Sequence, residues 1–175
     1  MYKKLFTNLI TYSKKNMKKL FLAMVFVLVA SLTGFAQQTF EWKAYGLEVT
    51  LPAGMKVLQN DEELFMVGND NSKLEIHPMD EDLDSISEED VLEVVKTIGN
   101  NLGVDLSQSE TKELSCQNGG GFYMVALHKT HKNLYGIISF AGSETSQISV
   151  CVAGLVTEAD AEKAGFILGS FNFKK

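Results

Sequence analysis

Between residues 109 and 154 four apolar stretches follow one another with hardly a break: 109–116, 122–129, 134–141 and 146–154. They are separated by Gly119-Gly120-Gly121, by Thr130 to Asn133 and by Gly142 to Thr145. Links this short allow only tight returns, so consecutive stretches lie side by side as an antiparallel meander. In the second stretch Phe122, Met124 and Ala126 alternate with Tyr123, Val125 and Leu127. Both sets are apolar, so this strand needs cover on both faces of its sheet. A single layer cannot satisfy it.

The remaining segments supply candidates for that cover. Leu47, Val49 and Leu51 alternate over 46–51, and Pro52-Ala53-Gly54 then turns the chain. Leu64 to Val67 and Leu74 to Ile76 read as two more strands around the turn Gly68-Asn69-Asp70-Asn71, with Pro78 ending the second. The period then changes. Ser87-Glu88-Glu89-Asp90 opens a helix with carboxylates at its positive end. Val91, Val94, Val95, Ile98 and Leu102 form its apolar face, and Asn100, Asn101 and Gly103 suit its exit. Thr157-Glu158-Ala159-Asp160 opens a second helix using Ala161, Ala164, Ile167 and Leu168, and Ser170 to Phe173 closes the chain as a short strand. No repeat, low-complexity tract or linker divides these elements. The expectation is a single α+β domain with a central antiparallel sheet and helices packed on it.

The first 36 residues are of another kind. Met17-Lys18-Lys19 precedes the uncharged run Leu20 to Leu32, and Thr33-Gly34-Phe35-Ala36 follows. A basic start, about a dozen apolar residues and small residues before the cut match a cleaved secretory signal, with the cut after Ala36. A spanning helix needs about 20 apolar residues. The apolar run is too short for that, which disfavours a membrane anchor; Lys14, Lys15 and then Met17 point to translation from Met17, with residues 1–16 an upstream extension, and a domain of residues 37–175. The whole chain of 175 residues carries a net charge of −6, but all six lysines before residue 37 leave with the leader. Ten lysines then face 22 acids, a net charge of −12. No arginine occurs anywhere, so bidentate guanidinium clamps are excluded and nucleic acid is an unsuitable partner. The same charge repels anionic membrane surfaces once the signal is removed.

Val49-Thr50-Leu51-Pro52-Ala53-Gly54 leads into a short meander and a helix; a Gly-containing hairpin, three long strands and a helix follow, and Leu168, Ser170, Phe171 and Phe173 mark the end. This order over 40–173 resembles the PsbP-like superfamily of small α/β/α sandwich proteins. The resemblance implies an accessory, assembly or binding protein. It carries no shared catalytic site, so no functional residue is transferred.

Few residues form a chemical constellation. Asp80, Asp82 and Asp84 have the spacing of a calcium loop, but Ser85 and Val91 stand where such a loop needs Gly and Glu. A solvated acidic lead-in to the helix accounts for them as well. His77, His128 and His131 would make a zinc or copper site only by converging. Cys116 and Cys151 permit one disulfide, worth ~3–4 kcal/mol by chain entropy. A plain meander would hold them apart, and they are not a Cys-x-x-Cys redox pair. Gly119-Gly120-Gly121 precedes a strand, so it reads as a flexible turn and no phosphate loop. No Gly-x-Ser-x-Gly or other nucleophile motif occurs.

The chain is therefore expected to act in the bacterial cell envelope, periplasmic or secreted. It is expected to be a non-enzymatic accessory protein with no cofactor, binding a protein or small-molecule partner. Its rivals are a small periplasmic hydrolase and a calcium- or zinc-binding protein.

Overall fold

The computed structural model describes residues 37–79 and 87–174. The leader and the acidic run with Asp80, Asp82 and Asp84 lie outside them. The first segment forms β1 (Gln38–Trp42), β2 (Leu47–Leu51), β3 (Lys56–Asn60), β4 (Phe65–Gly68) and β5 (Lys73–Met79). Helix α1 (Glu88–Asn101) follows, then β6 (Glu110–Cys116), β7 (Gly119–Leu127), β8 (Leu134–Ser143) and β9 (Ile148–Thr157). A 3-10 turn over Glu158–Asp160, helix α2 (Ala161–Gly169) and β10 (Asn172–Phe173) complete the chain.

Seven strands form one antiparallel sheet in the order β3-β4-β5-β9-β8-β7-β6. After β5 the chain crosses one face as α1, lands on the far edge as β6, and returns strand by strand until β9 meets β5. The meander expected over 109–154 is thus β6 to β9. Its second strand is buried on both faces, and the two covers differ. Phe122 and Met124, with Ile138 and Phe140 of β8, pack under Val91 and Val95 of α1. Tyr123 and Val125 face a larger core built with Leu47, Val49 and Leu51 of β2 and with Ala164, Ile167 and Leu168 of α2. Strands β1, β2 and β10 form a second antiparallel sheet in that layer.

Local chemistry explains several boundaries. Ser87 Oγ accepts the backbone N–H of Asp90 at 3.2 Å, capping α1. Gly103, with φ +69°, and Gly54, with φ +84°, occupy the left-handed region that a side chain resists. Both sit where the turns were expected.

Four expectations are corrected. Val94 is not on the buried stripe of α1; it is 42% exposed, because Val91, Val95, Ile98 and Leu102 already fill the seam. Pro78 does not end β5: the strand runs to Met79, with Pro78 opposite Val150. Strand β4 stops opposite Ile76, so Pro78 lies where β5 is an edge on that side, a place a strand proline tolerates. Residues 158–160 are a 3-10 turn and α2 begins at Ala161. Gly119-Gly120-Gly121 belong to β7 itself, and the turn is the two residues Gln117 and Asn118, the latter at φ +60°.

The glycines are inside the strand for a steric reason. A Cβ on Gly121 would stand 2.0 Å from the carbonyl oxygen of Phe140 on β8, whereas one on Gly120 would stand 3.2 Å from that of Leu114. Gly121→Ala is therefore expected to destabilise the protein by about 1–3 kcal/mol, as overpacking against backbone does. Gly120→Ala should cost clearly less. Urea unfolding of the two purified variants against the parent measures the difference.

Candidate functional site

The residues singled out by spacing do not assemble. From His77 the sheet runs through Cys151 and Phe140 to Phe122, and His128, just past the end of β7, lies six residues further along the chain. Three strand steps and six residues put His77 on the order of 25 Å from His128. His128 is occupied locally: its Nδ1 accepts the N–H groups of Thr130 at 3.2 Å and His131 at 3.0 Å. Its ring packs beside that of His131, with centroids 4.9 Å apart. This pair fastens the β7–β8 loop, and a three-histidine site is excluded. Among the described residues, no three His, Cys, Asp or Glu side chains are grouped to hold a metal ion.

Cys116 and Cys151 are free thiols. They lie on the far edge strand and three strands in from it, roughly 17 Å apart by strand spacing and register. Cys116 packs on the core under α2 and Cys151 on the core under α1, so they also sit on opposite faces. A disulfide needs Cα atoms within about 7 Å. The bridge permitted by the sequence does not form. Burial pushes the Cys116 thiol up to about 11 and the Cys151 thiol up to about 12, which keeps both protonated and poor nucleophiles.

The most perturbed carboxyl is Asp160, which no motif marked. It is 6% exposed. Its Oδ2 accepts from Asn69 Nδ2 at 3.0 Å and Ser72 Oγ at 2.7 Å, and its Oδ1 accepts from Lys163 Nζ at 2.7 Å. Burial alone would raise this carboxyl; the three hydrogen bonds and the Lys163 charge outweigh it and hold it well below the usual carboxylate range. Perturbed groups mark functional sites or structural ion networks alike. Here both oxygens are taken up by the protein, and Ser72 Oγ also accepts the N–H of Thr157 at 3.0 Å. Asp160 clips the β4–β5 turn to the start of α2.

Among the described residues, part of the large sheet extends beyond the cover of α1. On β5 and β9, Leu74, Ile76, Val150, Val152 and Val156 point away from α1 and are buried. The alternate positions Glu75, His77, Ala153 and Leu155 share the α1 face and remain half-buried, as does Met66 of β4 opposite Glu75. Lys73 Nζ lies 2.8 Å from Glu75 Oε1, and Glu75 Oε2 lies 3.4 Å from His77 Nε2. The hydrogen bond from Lys73, ahead of other causes, lowers the Glu75 carboxyl from its ordinary value despite partial burial. The surface is a mixed polar and apolar strip beside a helix. Sequence alternation in β5 and β9 places these side chains on one face, but which half of the face α1 covers was not legible there.

No family model and no curated protein matches the chain. Among solved structures it is similar to the Ran-binding protein Mog1p of Saccharomyces cerevisiae, with a TM-score of 0.46 and 12% identity. That match covers 75% of this chain and 83% of Mog1p. At that level of superposition and identity it supports no statement about activity or partner. No helix among the described residues is long and apolar enough to cross a membrane.

A folded-state carboxyl held below its unfolded value of about 3.9 stabilises the protein above that value, and the stability is lost as pH falls. The parent protein is therefore expected to lose the Asp160 contribution progressively below about pH 5. Asp160→Asn should be less stable than the parent by about 2–3 kcal/mol at pH 7, with the gap narrowing as pH falls toward 2. Urea midpoints measured across that range check both statements.

Proposed function

We propose that residues 37–175 are an exported accessory protein of the PsbP-like kind that docks a basic protein partner on the open half of the seven-stranded sheet. The observation that carries this reading is the asymmetry of β5 and β9, buried on one face and half-open on the other. Leu58 of β3, on the outer edge of the same half-sheet, is 42% exposed. The half-open apolar positions Met66, Ala153 and Leu155 suit a protein surface, and the surrounding polar groups suit a wet rim. The net charge of −12 over 37–175 favours a cationic partner through steering and complementarity. The signal-like pattern over 17–36 supports export, and the element order from β2 to β10 supports the PsbP-like reading.

Export and docking are tested separately. The full chain made in a Gram-negative host is expected in the osmotic-shock fraction with Gln37 as its first residue; intact chain retained in the cytoplasm would overturn the export reading. A photo-crosslinking residue at Ala153, used in the native envelope, is expected to trap one basic protein in an adduct that high salt abolishes. An acidic partner, no adduct, or turnover of esterase, phosphatase or peptidase substrates by the purified protein would overturn the docking reading.

A further inference from the structure

Three soft or borderline metal ligands occupy adjacent positions at one end of this open strip. His77 and Met79 are two residues apart on β5, so their side chains leave the same face. Cys151 of β9 lies directly opposite His77 in the ladder, and Met79 lies opposite Ser149, diagonal to Cys151. Directly opposed residues hold their Cβ atoms about 4.5–5.5 Å apart, and a diagonal neighbour is within reach of a long side chain. Met79 and Cys151 pack against the same cluster under α1, which confirms that they share a face. The His77 side chain is 46% exposed.

We propose that His77, Met79 and Cys151 form a binding site for a soft monovalent cation, copper(I) or silver(I). The ligand chemistry decides among metals. Thioether and thiolate sulfur select copper(I) over hard cations such as calcium or magnesium. Zinc takes a tetrahedral set of nitrogen, sulfur and carboxylate ligands, and a thioether is not one of its usual donors. Charge points the same way. Burial disfavours a bare Cys151 thiolate, so the proton leaves only as a cation replaces it; a monovalent ion then keeps the partly buried site neutral, whereas a divalent ion would leave a net positive charge beside apolar Phe140 and Val91.

The neighbouring residues support the imidazole as a ligand should be supported. His77 Nε2 lies 3.4 Å from Glu75 Oε2, so Nδ1 is the ring nitrogen that Glu75 does not engage. Metal-binding histidines are commonly oriented by a carboxylate on the other ring nitrogen. Lys73 in turn holds Glu75, so Lys73, Glu75 and His77 form a chain along one face of β5. Glu75 is then a positioning residue. The site lies on the same sheet face as the proposed docking surface but does not depend on a partner, since the metal is read on the purified protein alone.

The test is competition between the purified Cys116→Ser protein and the copper(I) chelator bicinchoninate, so that the second thiol cannot contribute. One equivalent of copper(I) per chain is expected to be withheld from the chelator. Met79→Leu and His77→Phe should each weaken binding roughly tenfold or more, and Glu75→Gln by about tenfold. Equal affinity in the parent, Met79→Leu and His77→Phe would reduce the site to a lone thiol and overturn the proposal. A second readout does not depend on variants that fold poorly. With methionine methyl groups labelled with 13C, silver(I) is expected to shift the Met79 resonance first and most; an unmoved Met79 signal at one equivalent would overturn it as well.

Discussion

Strands β5 and β9 pair along seven residues, Lys73 to Met79 against Leu155 to Ser149. This ladder joins two meanders, β3-β4-β5 and β6 to β9, into one sheet. A three-stranded unit alone has little apolar face to bury, and the joined sheet gives β3 to β5 a share in the larger core. The ladder also brings together residues 70 to 82 positions apart, so its loop-closure cost must be met by the burial it makes possible. Leu74, Ile76, Val150 and Val152 supply that burial on the side of the larger core.

Polar groups then fasten the layers where apolar packing leaves gaps. Asp160 ties the β4–β5 turn to α2 through Asn69, Ser72 and Lys163. Trp42 Nε1 donates to the carbonyl of Asp61, and Lys174 spans Glu41 and Glu48 at 3.1 and 3.0 Å, anchoring the smaller sheet. Gln117 donates to Phe171 O at 2.9 Å and accepts from Phe173 at 3.2 Å, so the β6–β7 turn also meets the chain terminus. These bonds sit at element ends, where backbone groups would otherwise lose their partners. The polar pairs Lys73 with Glu75 and Glu75 with His77 lie instead along one face of β5, within the strand.

Legibility varied with the strength of the local pattern. Strands β7 to β9 were evident because their apolar runs are long and their turns short, and α1 because its spacing and Ser87 cap agree. Strand β3 was not, because Lys56, Gln59 and Asn60 carry no alternation; its pairing with β4 makes it a strand. The glycine run was read as a turn because glycine permits one, while the close approach of Phe140 that requires it comes from a different strand. Histidine and cysteine positions were visible as candidates, but convergence depends on strand order. That order separated Cys116 from Cys151 and His128 from His77, and it set Cys151 beside His77.

The sequence by itself determined strands β8 and β9, both helices, the two-faced burial of β7 and the strongly acidic charge of residues 37–175, since each depends on residues near in the chain or on a simple count. Only the tertiary structure decided which strands are neighbours, that the thiols stay apart, that Asp160 is a buried clip and that, among the described residues, part of one sheet face lies beyond the cover of α1. The reason is geometric. Alternation assigns a side chain to a face, but its neighbours across the sheet are set by a register between strands far apart in sequence, and no local pattern encodes that register.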